Sequence, residues 1–310
     1  MFQILKIRAI LWMLPLLWLW FILINHLRVT WTNNPQYSYG WAVPFLCVFL
    51  IWRKFQTSEA RSQESVVRSR RMESGGFAGR KFQVSGFKFQ LFALALCAAL
   101  YAPTRLVEEA NPDWRLVSWA LAIEVVGITL WLARFTIHDS RFTIHDFVFP
   151  VCFFLVAVPW PSLIEQPLIQ GLTRADTSIT TELLGWIGIP AMSHGNVIEV
   201  ATGMVGIDEA CSGIRSFQAT LMISLFLGEF YSLSTSRRAL CVFAGFALAV
   251  LFNLSRMSLL VWVAARKGIN AIVSWHDPAG VTILVACFFS LWGMGVFMKS
   301  KERKANTQQK

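Results

Sequence analysis

Apolar runs long enough to cross a lipid bilayer recur along this chain, and they limit its possible folds more than any other feature. About 20 helical residues are needed to cross the hydrocarbon core. The first such run is 7–27, and others fall near 39–55, 87–107, 114–135, 147–161, 211–231, 239–264 and 279–298. Only 15% of the 310 residues are charged, too few for a soluble domain of this size. The predicted class is all-α: a polytopic membrane bundle of about eight transmembrane helices, forming one domain over 1–300 with a basic tail at 301–310. The first run is too long and too Trp-rich for a cleaved signal peptide, and no small-residue cleavage site follows it.

The formal net charge is +10. Its basic residues are spread through loops, which makes them a topology signal rather than a nucleic-acid surface. With both termini cytoplasmic, 20 of the 28 Lys and Arg lie on the inner side. These include the stretch 56–86, read as a flexible basic loop, and the segment 134–147, where RFTIHDS is followed by RFTIHDF. That repeat holds His138 and His145, each beside an Asp. It reads as a local duplication in a tolerant cytoplasmic loop, since loop closure costs grow slowly with length. The outer side then receives 28–38, 108–113, 161–210 and 265–278.

Within the outer segment 162–210, Leu168, Leu172, Ala175, Ile179 and Leu183 recur at helical spacing. Arg174, Asp176 and Glu182 lie between them, a pattern that suits an amphipathic helix lying on the membrane or closing over a site. Residues 194–208, HGNVIEVATGMVGID, predict a short hairpin turning at Thr202 and Gly203.

Of the six cysteines, Cys47, Cys97, Cys152 and Cys287 sit inside apolar runs and Cys241 at an inner helix end. They read as small apolar packing residues, with no disulfide framework. Cys211 differs. It stands in IDEACSGIRS, where a polar outer loop becomes an apolar helix. The unpaired N–H groups and dipole of a helix N-terminus favour thiolate, the nucleophilic form. Arg215 follows one turn deeper on the same face. Glu209 and Asp208 precede the sulfur, either capping the helix or orienting a partner.

The next run carries Asn253 and Arg256 in AVLFNLSRMSLLVW. An arginine in an apolar span costs about 2.5–3.5 kcal/mol at the bilayer centre, so this shared face must turn inward, where it serves either a structural ion pair or an oxyanion. His276, in SWHDP, lies on the same side of the membrane at the start of the last run. A thiol nucleophile, an imidazole acid–base and a guanidinium are the parts of acyl transfer. His194 and His26 compete with His276 for the imidazole role. No His, Cys or carboxylate grouping has metal-ligand spacing, so neither metal nor other cofactor is expected.

These residues resemble the exosortases, integral-membrane enzymes of the cysteine transpeptidase kind. The likeness rests on EACSGIR, on NLSR and on His276, with YSYGWAVP, VPWP, LLGWIGIP and HGNVIEV in support, and it runs over about 30–300. It implies Cys211, Arg256 and His276 as a catalytic triad. It also implies a location in the bacterial inner membrane with the active site facing the periplasm. The implied substrates are exported proteins bearing a C-terminal sorting tail: a short Pro-containing (PEP-CTERM-like) signal, a transmembrane helix and a basic cluster. Cleavage would hand them to an acceptor not identified by the sequence, in a setting tied to exopolysaccharide. One departure is visible: Tyr39 stands where the family's Y-S-H-G loop has histidine. The reading from another class is a transporter or scaffold for surface polysaccharide, with Arg256 and Glu124 lining an anion path. Against it, the chain has no clear inverted repeat of broken helices.

Overall fold

Helix fills most of the apolar runs. The computed structural model describes residues 2–70, 87–111, 113–136, 144–207 and 212–308, and the chain divides into two units, Met1–Pro159 and Trp160–Lys310.

The first unit contains α1 (Phe2–Asn33), α2 (Ala42–Arg70), α3 (Phe87–Ala110), α4 (Arg115–Thr136) and α5 (Ile144–Cys152). Short 3-10 turns at Pro35–Trp41 and Phe153–Ala157 flank α2 and follow α5. Helix α4 packs against α1, α3 and α5, with Leu121, Ala122 and Val125 wholly buried along it. Residues 158–161, VPWP, leave helical geometry, and Val158 is extended. Backbone that breaks from a helix among apolar side chains needs other hydrogen-bond partners. Three side chains supply them. Trp31 Nε1 donates to the Ala157 carbonyl at 2.8 Å, Trp119 Nε1 to Pro159 at 2.8 Å, and the Tyr39 hydroxyl to Val156 at 3.2 Å. Gly40 lets the indole of Trp31 in, because a Cβ there would lie 2.4 Å from the ring.

A polar cluster is buried in the same unit. His26 Nδ1 lies 2.8 Å from Glu108 Oε1, its Nε2 lies 2.8 Å from Ser118 Oγ, and Arg105 pairs with the other Glu108 oxygen.

The second unit contains α6 (Ser162–Trp186), a three-stranded antiparallel meander of β1 (Ala191–His194), β2 (Val197–Val200) and β3 (Gly203–Gly206), then α7 (Ile214–Phe230), α8 (Thr235–Lys267) and α9 (Ala271–Gln308). The expected hairpin is the β2–β3 pair, in register Val197 to Gly206 and Val200 to Gly203, and β1 adds a strand that the sequence reading did not include. Ile198, Val200 and Val205 of the sheet form one apolar core with Met257, Val261 and Ala264 of α8. Thr202 Oγ1 also donates to the Ala264 carbonyl at 2.9 Å, near the C-terminal end of α8. The sheet is therefore fixed to the end of α8 that carries Arg256.

Three expectations change. The basic segment 56–86 is not wholly loop, since α2 continues helically to Arg70. Its Glu, Gln, Arg and Ala residues are adequate helix formers without any apolar stripe. The basic tail begins within α9, which runs to Gln308. The outer loop 265–278 shrinks to 268–270, and His276 and Pro278 lie inside α9. Helix α8 ends at Gly268, whose φ of +90° suits glycine. Helix α6 is present, but its inward face is the polar one. Glu165, Thr173, Asp176, Thr177 and Thr180 are buried beside Ile169 and Leu184, while Ala175 and Ile179 are exposed and Leu168, Leu172 and Leu183 are half-buried. An apolar surround reverses the soluble rule and sends polar groups inward.

Among the described residues, four helical stretches are long and apolar enough to cross a membrane: Leu14–Asn33, Arg115–Arg134, Thr235–Lys267 and Ala271–Lys301. The protein is thus a multi-pass helical membrane protein, with four of the eight expected spans meeting that measure. Helices α5 and α6 meet the same measure when taken together as one broken span, which makes up to five, and α7 has only 17 residues.

Candidate active site

Asn253 and Arg256 lie three residues apart on α8, both buried, at 3% and 8% exposure. Spacing of three places them on one face, as the sequence requires. Arg256 reaches α9, where its Nη2 lies 2.7 Å from His276 Nε2. A guanidinium only donates, so Nε2 must accept and the ring proton sits on Nδ1. There it meets Asp277 Oδ1 at 3.0 Å. Gly280, one turn on from His276, faces the guanidinium, whose Nη2 would lie in ordinary contact with a Cβ there, at 3.7 Å. Arg256 Nε is buried and has no hydrogen-bond partner among the described residues. An unmade hydrogen bond from a buried donor costs about 1–3 kcal/mol, and more when the group is charged. The pair therefore holds an unused donor, with a His276 side chain still 35% exposed.

One turn away, Asn253 Nδ2 donates to Asp176 Oδ2 at 2.5 Å, joining α8 to α6. The same asparagine packs under the start of α7. Gly213 caps that helix at φ +76°, and a Cβ on it would lie 2.7 Å from the Asn253 amide. A small cavity is lined by Asp176, Asn253, Ser212, Gly213, Leu172 and Phe217. Below it Phe217 of α7 stacks on Phe246 of α8, with ring centres 3.9 Å apart.

Cys211, with Asp208 and Glu209, lies outside the described residues, which resume at Ser212. Arg215 is exposed in the first turn of α7, unlike the buried Arg256. The rival histidines lie elsewhere: His26 in the first unit's polar cluster, and His194 exposed on β1, where it meets Glu199 Oε2 at 3.1 Å. Of the repeated heptads, His138 is outside the described residues and His145 is exposed. Cys47, Cys152, Cys241 and Cys287 are free thiols. Glu229 is buried and pairs with Arg238 at 2.6 Å, from the end of α7 to the start of α8. Both carboxylate oxygens of Glu124 are buried without a partner among the described residues, and nothing in the structure accounts for them.

Asp176 was visible in the sequence only as a charge between apolar positions. The available signal was its separation of seven from Ile169 and eight from Leu184, which places all three on one helical face. Asp277 was legible by adjacency to His276. Among the described residues no group of three or more His, Cys, Asp or Glu is arranged to hold a metal ion.

A buried arginine paired to histidine, on two apolar helices capped by a small sheet, defines a membrane protein with an internal polar site. A family model described as transmembrane exosortase matches residues 31–293, and the chain belongs to the exosortase family. Membership implies, at a coarse level, a membrane transpeptidase or protease. No curated protein and no solved structure matches the chain.

Proposed function

We propose that this exosortase is a cysteine peptidase or transpeptidase that cleaves C-terminal sorting tails of exported proteins at the outer face of the bacterial inner membrane. The observation that carries the reading is the contact of Arg256 with His276, which joins a fixed cation to an imidazole of defined tautomer. Cys211 supplies the nucleophile, as the one cysteine of the sequence placed between a polar loop and a helix N-terminus. Its thiolate attacks the scissile carbonyl carbon, and Arg256 stabilises the resulting oxyanion through donors such as its unused Nε–H. The C–N bond then breaks, and the leaving amine takes a proton from His276, whose Nε2 had received it from the thiol on letting go of Arg256. The resulting thioester is attacked by water or an acceptor nucleophile, whose proton passes to His276 as the thiolate departs. His276 returns that last proton to the sulfur, so the cycle closes with each proton taken up given back and no change of oxidation state.

In cells carrying a reporter that ends in a Pro-containing signal, an apolar helix and a basic cluster, wild-type protein is expected to shorten the reporter. Cys211→Ala is expected to leave it intact. Processing by Cys211→Ala at the wild-type rate overturns the reading. The transporter alternative predicts instead that Arg256→Ala stops solute flux while Cys211→Ala has no effect.

A further inference from the structure

We propose that the free face of the three-stranded sheet rests against phospholipid, at the boundary between headgroups and acyl chains on the side of the membrane where α8 ends. The inference goes beyond the peptidase reading and does not depend on it.

Strand alternation defines the face, because residues directly opposite each other in a sheet share one side. Met192 lies opposite Glu199, and Glu199 opposite Met204, so the three form a row across all the strands. His194 belongs to the same side and meets Glu199 Oε2 at 3.1 Å. Ile198, Val200 and Val205 point the other way, into the core shared with α8. Met192 and Met204 are each 64% exposed. On so small a face, two long apolar side chains form a patch rather than stray exposure.

The packing on α8 gives that face its direction. Met257, Val261 and Ala264, which receive the sheet, form a stripe along the flank of the helix. A sheet laid against the flank of a helix turns its other face sideways, away from the helix axis. With α8 crossing the membrane, sideways means toward lipid wherever the depth is right.

Helix length gives the depth. The 33 residues of α8 extend about 50 Å, against about 30 Å of hydrocarbon. A centred α8 therefore reaches about 10 Å beyond the hydrocarbon at each end, and the stripe lies about 4–15 Å from its last residue. Trp262, within the stripe, is 38% exposed, and Trp275 of α9, 40% exposed, lies beneath the Lys267 ammonium at 5.3 Å. Tryptophan gathers at membrane interfaces, so both mark the same level.

The chemistry of the sheet suits that layer. Strands β1 and β3 are its edges, and the backbone groups on their outer sides lie outside the strand ladder. Hydrocarbon does not tolerate such groups, nor an ion pair such as Glu199 with His194. Headgroups offer hydrogen-bond partners to both. The thioether side chains of Met192 and Met204 adapt to the irregular ends of acyl chains.

The test uses the full-length wild-type protein in vesicles of phosphatidylethanolamine and phosphatidylglycerol. A small share of phosphatidylcholine carries a diazirine at the carbonyl end of one acyl chain. After irradiation, mass spectrometry maps lipid adducts on 191–206 and around Phe243, a 70% exposed residue of the α8 span. Parallel vesicles receive chloramine-T, a charged oxidant, and sulfoxide formation at Met192 and Met204 is timed against a free methionine peptide.

Adduct yield per residue on the sheet is expected to reach at least a third of that at Phe243, with oxidation at least threefold slower than in the peptide. A lower yield overturns the inference: with fast oxidation the face lies in water, and with slow oxidation protein covers it. Oxidation at more than a third of the peptide rate overturns it whatever the yield. None of these outcomes bears on the cysteine mechanism, which Cys211→Ala tests separately.

Discussion

Each unit of the molecule buries a polar cluster, and the two differ in how completely they are satisfied. In the first, Glu108 gives one oxygen to His26 and the other to Arg105, and the second nitrogen of His26 is taken by Ser118. In the second, Arg256 meets His276 through one nitrogen, and among the described residues its Nε has no partner, beside an imidazole still partly open. A closed network holds helices together. An open one stores electrostatic potential for something that arrives later. On the proposed function, the same residue types serve architecture in one unit and chemistry in the other, with Glu124 of α4 as the unexplained exception.

The sharpest way to break this comparison is Arg256→Lys. A lysine keeps the charge but loses the planar fork, so processing is expected to fall about 10²–10³-fold, measured per molecule in the membrane. Glu108→Ala strikes the closed cluster instead. Thermal unfolding in detergent is expected to show a loss of about 1–3 kcal/mol, with turnover per folded molecule within a few-fold of wild type. A rate loss as large as that of Arg256→Lys would erase the distinction.

The smallest effect belongs to the exposed pair of His194 and Glu199. His194→Ala is expected to change stability by less than about 0.5 kcal/mol and processing not at all.

How far the sequence could be read depended on what kind of signal each residue carried. The face shared by Asn253 and Arg256 followed from spacing alone, because helical geometry fixes which residues align. The inward polar face of α6 did not. Leu168, Leu172 and Ile179 looked like the packing stripe because the soluble rule was applied, whereas the bilayer inverts it. The loop around His276 was misread for a similar reason: Ser, His, Asp and Pro usually punctuate, yet α9 begins at Ala271 and absorbs all four. The hairpin was legible from its alternating β-branched residues, but β1 carries Ala, Met, Ser and His and gives little strand signal.

By itself the chain determined that it would enter a membrane as helices, since the transfer free energy of an apolar run is a local property summed over neighbours. It also determined which side chains were too costly to bury idly. Tertiary structure alone decided that Arg256 would meet His276, that Asp176 would turn inward to Asn253, and that a glycine would press against that amide. Those contacts join separate helices, and their geometry depends on how the helices pack rather than on the composition of any one of them.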